Sequence, residues 1–180
     1  MSYYIFVDNS NVWIEGKFYS AVKKGYAANI YDAHEKGIQD NSWTFDFGKL
    51  LFELSGNQIS SVKAAILFGS KPTDKDSLWD AMRQAGFTVQ NIDRNIANKE
   101  KKIDTGIVAA ILETLYTKSS SGDIFVLAMG DSDYVPVLEK LSKMNVKSVV
   151  AFWDNASGEL KKSADEFLSL NSIYDKITYI

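Results

Sequence analysis

The chain has 180 residues, of which 46% are hydrophobic and 24% are charged, a composition typical of a globular protein that buries a core of ordinary size. Its 20 basic and 23 acidic side chains give a net charge of -3, which argues against a protein that coats duplex DNA electrostatically. The absence of cysteine excludes disulfides and cysteine-ligated zinc or iron-sulfur sites.

Short apolar runs alternate with longer helical patterns along the chain, which is typical of a parallel sheet with crossover helices. The runs are rich in Val, Ile, Leu and Phe without polar alternation, so we expect strands that are covered on both faces. In chain order, the predicted strands are Tyr3–Val7, Val62–Phe68, Phe87–Ile92, Ile124–Met129 and Val146–Phe152. The predicted helices are Val12–Lys24, Phe45–Leu54, Lys75–Gln84, Ile103–Tyr116 and Tyr134–Met144. The pattern therefore predicts an α/β fold with a mainly parallel sheet of about five strands.

Three other segments are less regular. Residues 25–43 are polar, contain the only histidine, His34, and are predicted to form a long loop, a kind of segment that is often functional or mobile. His34 has no visible partner and receives no role. Residues 158–170 form a short amphipathic piece, and residues 176–180 fit either a final edge strand or an interface tail. No linker or repeat divides the chain, so we expect a single domain over residues 1–180.

The apolar runs are too short for a membrane span. The longest, Ile107–Leu112 and Ile124–Met129, have six residues each, whereas a span needs about 18 or more. The first residues also lack the basic and then apolar pattern of a signal peptide. We therefore expect a cytoplasmic protein without a membrane segment. The sequence leaves open whether the protein forms a homodimer.

Acidic residues follow two of the predicted strands, where ligands bind in open parallel sheets. Asp8 and Asn11 come directly after the first strand, and the segment Gly130-Asp131-Ser132-Asp133 follows the fourth. Asp104 begins the most hydrophobic of the predicted helices. Each acid also has an ordinary structural explanation, as a helix cap, as a partner of a helix dipole or as part of a turn.

Together, however, these carboxylates would repel one another unless they were protonated or bridged by a cation. A cluster that offers only oxygen ligands suits Mg²⁺ or Mn²⁺. Such an ion polarises a phosphoryl group and lowers the pKa of a bound water, so hydrolysis of phosphate esters is the reaction class that the residues indicate.

At these residues the chain resembles the NYN domains, the LabA-like branch of the PIN-like nuclease superfamily. The resemblance covers nearly the whole chain. Its most specific feature is the pairing of Asp-Asn-Ser-Asn at residues 8–11 with Gly-Asp-Ser-Asp at residues 130–133. The other matching pieces are residues 46–51, residues 100–104, Tyr134-Val135-Pro136, Ser157, Leu160, Ala164-Asp165 and Phe167.

The resemblance implies a three-layer α/β/α sandwich and a metal-dependent endoribonuclease that leaves a 5′ phosphate and a 3′ hydroxyl. Four acids would be catalytic and hold Mg²⁺ or Mn²⁺, directly or through water: Asp8, Asp104, Asp131 and Asp133. Asn11 and Ser132 would orient metal-bound waters or the scissile phosphate. Lys102 and Arg94 lie in a locally basic segment and would contact the RNA backbone, although a solvated loop is the more ordinary explanation for Arg94.

One departure from the family pattern leaves a second class of function open. Many relatives carry an acid where this chain has Ala110, which bears on the number of metal ions. A non-catalytic module that binds RNA or a protein partner would fit this departure and the acidic balance. Four aromatic side chains could then stack on bases: Tyr26, Tyr31, Trp43 and Trp79. For Trp79, packing is the preferred explanation.

Asp165 also matches the family, and its apolar surroundings favour a structural hydrogen bond.

Overall fold

A parallel β-sheet forms the centre of the protein, whose computed structural model describes residues 1–70, 76–92 and 99–179, with side chains for residues 1–69, 77–90 and 105–179. In this part of the chain the sheet has six strands: β1 (Tyr3–Asp8), β2 (Val62–Ser70), β3 (Thr88–Ile92), β4 (Ile124–Ala128), β5 (Lys147–Phe152) and β6 (Glu166–Ser169). They pair in the order β3-β2-β1-β4-β5-β6, and each neighbouring pair is parallel. The predicted α/β fold with a parallel sheet is confirmed, with one strand more than expected.

Helices cover both faces of the sheet. They are α1 (Asn9–Lys23), α2 (Ile30–Lys36), α3 (Phe47–Leu54), α4 (Asp76–Gln84), α5 (Lys99–Thr117), α6 (Val135–Lys143), α7 (Gly158–Ser163) and α8 (Tyr174–Ile177). Alternate residues of β1 enter two separate cores: Ile5 and Val7 pack with α1, α3, α4 and α8, whereas Tyr4 and Phe6 pack with α5, α6 and α7. The strand is therefore buried on both faces, as its unbroken apolar run predicts. Within the described ranges, no helix has the length and apolar character needed to cross a membrane.

The main differences from the sequence prediction lie in four segments. Residues 174–177 form α8 and Thr178 makes only an isolated antiparallel bridge with Phe45, so the final edge strand that residues 176–180 could have formed is not found among residues 176–179. The expected loop 25–43 contains α2, which begins after the N-cap Asn29 and ends at Gly37 with a positive φ of 64°. Helix α5 begins at Lys99 rather than at Ile103, so Asp104 lies inside the helix instead of at its start. Residues 158–170 contain both α7 and β6.

A serine–aspartate contact accompanies the extra strand. The Asp165 carboxylate accepts hydrogen bonds from the Ser148 backbone N–H at 2.7 Å and from the Ser148 hydroxyl at 3.0 Å. This contact joins the beginning of β6 to β5, which explains why a short, half-buried segment pairs with the sheet. The prediction of a structural role for Asp165 is confirmed.

The order of the strands reverses beside β1. The chain proceeds outward from β1 to β2 and β3, and then returns to place β4 on the other side of β1. Such a reversal opens a crevice at the carboxyl ends of the two central strands. Val7 pairs with Ala128 in the register, so Asp8 and the segment that follows β4 leave the sheet side by side.

Helix α1 is held against the sheet by a cluster of aromatic rings. A Cβ atom at Gly16 would overlap with the Trp43 ring and lie 2.8 Å from the Trp153 ring, so only glycine permits this approach. The Trp153 indole N–H donates a hydrogen bond to the Val12 carbonyl at 2.9 Å. The position of α1, which begins at the crevice, therefore depends on these buried rings.

A buried carboxylate fixes the segment before α3 to α1. Asp40 is 4% exposed and accepts hydrogen bonds from the Ser20 hydroxyl at 2.7 Å and from the Lys24 ammonium at 2.6 Å. The Ser42 hydroxyl and backbone N–H also donate to it, and the Ser20 hydroxyl oxygen lies 2.8 Å from that of Tyr174. Burial raises the pKa of Asp40, but the hydrogen bonds from Lys24 and the two serines outweigh it and hold the pKa well below its ordinary value.

We expect Asp40→Asn to lower the free energy of unfolding by about 1–3 kcal/mol at pH 7, because a buried charge-assisted hydrogen bond is lost. The depressed pKa means that Asp40 stabilises the fold above its ordinary pKa of 3.8, and that this contribution disappears as the pH falls through the folded-state value. The difference between wild type and variant should therefore shrink below about pH 4. Urea unfolding at several pH values measures this difference in the free energy of unfolding. The exposed Asp175→Asn is the control and should change that free energy by less than about 0.5 kcal/mol. A difference that does not depend on pH would contradict the assignment.

Candidate functional site

A cavity of about 570 Å³ opens at the carboxyl ends of β1 and β4. Its walls carry four acidic residues, Asp8, Glu15, Asp131 and Asp133. The other residues of the wall are Ser10, Asn11, Ile14, Gly130, Phe152 and Asn155. Because it lies at the reversal of strand order, this cavity is where an α/β sheet of this topology is expected to bind a ligand.

Asp8 connects β1 to α1. It is the last residue of the strand and the N-cap of the helix, and its side chain is buried, with 5% of its surface exposed. The Asn11 backbone N–H donates a hydrogen bond to Asp8 Oδ1 at 3.2 Å. The N-cap position therefore fixes this carboxylate in the cavity wall.

Asn11 joins the two strand ends. Its backbone contacts Asp8, and its side-chain Nδ2 donates a hydrogen bond to Asp131 Oδ2 at 2.6 Å. One residue of α1 therefore orients two carboxylates that are distant in the sequence. A neutral amide fixes the direction of each carboxylate without cancelling its charge.

The segment after β4 passes close to the Phe152 ring at Gly130. A Cβ atom there would lie 2.6 Å from Phe152 Cζ, and the Ser157 N–H donates to the Gly130 carbonyl at 2.9 Å. A short 3₁₀ turn, Ser132–Tyr134, follows before α6 begins. Asp131 and Asp133 are exposed and line the cavity, whereas Ser132 is exposed but is not part of the cavity wall.

Three of the predicted site residues fall where the structure gives no side chain. Arg94 lies outside the described residues. Lys102 and Asp104 belong to α5, but their side chains lie outside the described part of the structure. The structure therefore brings together Asp8, Asn11, Asp131 and Asp133, and the remaining predicted contacts stay predictions.

Glu15 is an acid of the cavity that the sequence analysis did not identify. It lies one helical turn after Asn11 on α1 and is mostly buried, with 12% of its side chain exposed. The Asn155 amide donates to its Oε1 at 2.7 Å, and His34 Nε2 lies 2.7 Å from the same oxygen. His34 therefore has a partner, contrary to the expectation from sequence. The four-residue spacing from Asn11 was the signal that could have revealed Glu15, because residues i and i+4 share one face of a helix.

Two of the four aromatic side chains that the sequence suggested for stacking are exposed. Tyr26 and Tyr31 are exposed, whereas Trp43 is 4% exposed and belongs to the aromatic cluster against α1. Trp79 is buried, as its helical pattern predicts. Trp43 therefore presents no ring face for a base to stack on.

A second cavity, of about 580 Å³, lies between α1, α4 and residues 41–48. Its walls include Trp13, Phe45 and Tyr179, and none of the predicted site residues with a described side chain contributes to it. The predicted chemistry therefore concerns the cavity at β1 and β4.

The donor atoms of the β1/β4 cavity suit a hard cation. Carboxylate and amide oxygens are the ligands that Mg²⁺ and Mn²⁺ prefer, and the described wall carries no cysteine or histidine that would favour a softer ion. Among the side chains that the structure describes, no three His, Cys, Asp or Glu residues form a group able to hold a metal ion. The chemistry of the donors therefore fits, and a complete ligand set would need a further group such as the Asp104 carboxylate.

Comparisons with known proteins identify a family and a fold. The model of the NYN domain matches residues 3–171. A protein of unknown function from Vibrio parahaemolyticus has a similar crystal structure, with a TM-score of 0.70 and 20% sequence identity, over 99% of this chain and 96% of that one. At this identity, the likeness supports the fold alone. No match to a functionally curated protein was found.

We expect Asn11→Asp to destabilise the protein, because it replaces the amide that donates to Asp131 with a further carboxylate beside Asp8 and Asp131. The loss of a charge-assisted hydrogen bond at an exposed position should cost about 1 kcal/mol, or about 2–4 °C in melting temperature. Thermal melts in EDTA at low ionic strength measure the effect. Asn29→Asp is the matched control, because it makes the same charge change at an N-cap that accepts either residue. Equal melting temperatures for the two variants would show that the Asn11 bridge does not orient Asp131.

Proposed function

The chain belongs to the NYN domain family, and on this basis we propose that it is a metal-dependent endoribonuclease whose active site is the cavity at β1 and β4. NYN domains belong to the PIN-like nuclease superfamily, which suggests nuclease activity. The observation that carries the proposal is that Asp8, Asp131 and Asp133, which are distant in the sequence, line one cavity at the reversal of strand order. We also propose that the chain belongs to the LabA-like branch of the NYN domains.

In this proposal, Asp8, Asp104, Asp131 and Asp133 hold Mg²⁺ or Mn²⁺, directly or through water. When bound, the ion would neutralise charge on the phosphate and lower the pKa of a water molecule. Asp8 is suited to a fixed ligand position, because it is buried and its orientation is held by the Asn11 N–H. Asn11 would keep Asp131 in place by the side-chain hydrogen bond already described.

The reaction is the hydrolysis of a phosphodiester bond. The oxygen of the attacking water forms a bond to phosphorus in line with the bond from phosphorus to O3′, which breaks. A carboxylate oxygen of Asp133, which is exposed at the cavity wall, or of Asp8 accepts the proton of the water. O3′ takes up a proton from solvent, so the products are a 5′ phosphate and a 3′ hydroxyl.

Contacts with the rest of the substrate are assigned to the residues that the sequence indicated. Asn11 would bind the scissile phosphate or a water molecule next to it. Ser132, which is exposed and follows Asp131, would orient a metal-bound water or the scissile phosphate. Lys102 and Arg94 would bind the phosphate backbone of RNA. We also propose that the protein acts in the cytoplasm.

The second hypothesis, a non-catalytic module that binds RNA or a protein partner, is not favoured. Membership of the NYN family suggests nuclease activity. Three carboxylates in one cavity would also repel the phosphate backbone, so without a bound cation they would oppose the binding of RNA by such a module.

We expect Asp8→Asn and Asp131→Asn each to lower Mn²⁺-dependent cleavage of a labelled RNA by about 100-fold or more. The reason is that a metal ligand supplies several kcal/mol of transition-state stabilisation, and about 1.4 kcal/mol corresponds to a factor of ten. Binding of the RNA, measured by fluorescence anisotropy, should change much less. The exposed Asp175→Asn should cleave like wild type. Unchanged cleavage by Asp131→Asn would point to a contaminating nuclease and count against the site.

Added Mn²⁺ should raise the melting temperature, because an ion that binds only the folded state stabilises it by mass action. At 100 times its dissociation constant the gain is about 2.7 kcal/mol. The shift should be smaller in Asp8→Asn and unchanged in Asp175→Asn, as measured by differential scanning calorimetry with Mn²⁺ and with Ca²⁺. A melting temperature that does not respond to millimolar Mn²⁺ is incompatible with the proposed metal site.

A further inference from the structure

Glu15 lies in the wall of the proposed active site but is tied to a different set of residues from the other acids. It lies on α1 four residues after Asn11, about one turn further along, and both residues line the cavity, so their Cβ atoms are about 5–6 Å apart. Asn11 contacts Asp8 and Asp131, whereas Glu15 contacts Asn155 and His34. Glu15 therefore borders the cavity beside the carboxylates that would face the phosphate.

The carboxylate of Glu15 has a fixed orientation. Its Oε1 accepts a hydrogen bond from the Asn155 amide and pairs with His34 Nε2, both at 2.7 Å, from two segments that are far apart in the sequence. The His34 ring is itself stacked on Phe18, with ring centroids 4.1 Å apart. Both of these contacts use Oε1, and within the described residues Oε2 has no hydrogen-bond partner. The side chain therefore presents one rigid acceptor oxygen.

A fixed, mostly buried carboxylate restricts what a nucleic acid can place beside it. An ionised carboxylate only accepts hydrogen bonds, and it repels phosphate oxygens. The sugar next to a bound phosphate offers one hydrogen-bond donor in RNA, the 2′-hydroxyl, and none in DNA. A pre-oriented acceptor oxygen next to the phosphate site is therefore matched to a ribose.

We propose that Glu15 binds the 2′-hydroxyl of a ribose that flanks the scissile phosphate, and that this contact makes the site prefer RNA to DNA. His34 and Asn155 are the positioning residues that hold Glu15 for this contact. The assignment rests on the proposed function, because it takes the scissile phosphate to lie at Asp8 and Asp131.

The first test changes the substrate and leaves the protein intact. Wild-type protein with Mn²⁺ is assayed on an RNA oligonucleotide with a mapped cleavage site. It is also assayed on two versions of this RNA, each with a single 2′-deoxy substitution at one of the two nucleotides that flank the cleavage site. We expect one of them to lower kcat/KM by about 10-fold or more, which corresponds to the loss of a hydrogen bond to a charged group. If both deoxy substrates are cleaved like the parent RNA, the proposal is wrong.

The second test asks whether Glu15 is responsible. Glu15→Leu should cleave the all-ribose substrate and the sensitive deoxy substrate at the same, lower rate, whereas Glu113→Leu, the same change at an exposed acid of α5, should discriminate like wild type. A Glu15→Leu variant that still discriminates overturns the proposal. Circular dichroism verifies folding, and if Glu15→Leu does not fold, Asn155→Ala serves as the second variant and should reduce the discrimination.

Two further measurements separate this role from others. The Mn²⁺ dissociation constant of Glu15→Leu, measured by electron paramagnetic resonance, should stay within about 2-fold of wild type. A weakening of 10-fold or more would make Glu15 a metal ligand and overturn the proposal. If wild type cleaves no RNA, the proposed function fails, but the present inference is still tested by anisotropy: preferential binding of RNA over DNA that disappears in Glu15→Leu supports it, and equal binding of the two contradicts it.

Discussion

The parallel pairing of β1 with β4 is the constraint on which the candidate site depends. Both strands are buried on both faces, so their register is fixed by two cores at once. The polar residues that follow them have no room inside the sheet and leave it at one edge. Because the strand order reverses there, no crossover helix fills the space directly above the two ends, and a cavity lined by carboxylates results.

Helix α1 supports most of the residues that shape this cavity. Asp8 caps it, Asn11 bridges the two strand ends from its first turn, and Glu15 follows one turn later. The helix can occupy this position only because Gly16 lets the Trp43 and Trp153 rings approach closely. The geometry of the polar site is therefore set by apolar packing on the opposite face of the same helix.

Acidic residues are stabilised in two different ways in this protein. Asp40 is buried outside the cavity wall and is paired with Lys24, so its charge is compensated and contributes to the stability of the fold. The hydrogen bonds that Asn11 makes with Asp8 and Asp131 come from neutral groups, which orient a carboxylate and leave its charge in place. In the proposed function, these oriented carboxylates would hold Mg²⁺ or Mn²⁺.

The sequence by itself determined the α/β class, the paths of the five strands that it predicted and the acids at the ends of β1 and β4, because apolar runs and the polar residues that end them are local features. It also indicated the structural role of Asp165. Only the tertiary structure decided that Trp43 is buried, that residues 158–170 add β6, and that His34 meets Glu15 beside Asn155. These features depend on contacts between residues far apart in the chain, and neither periodicity nor motif spacing carries information about such contacts.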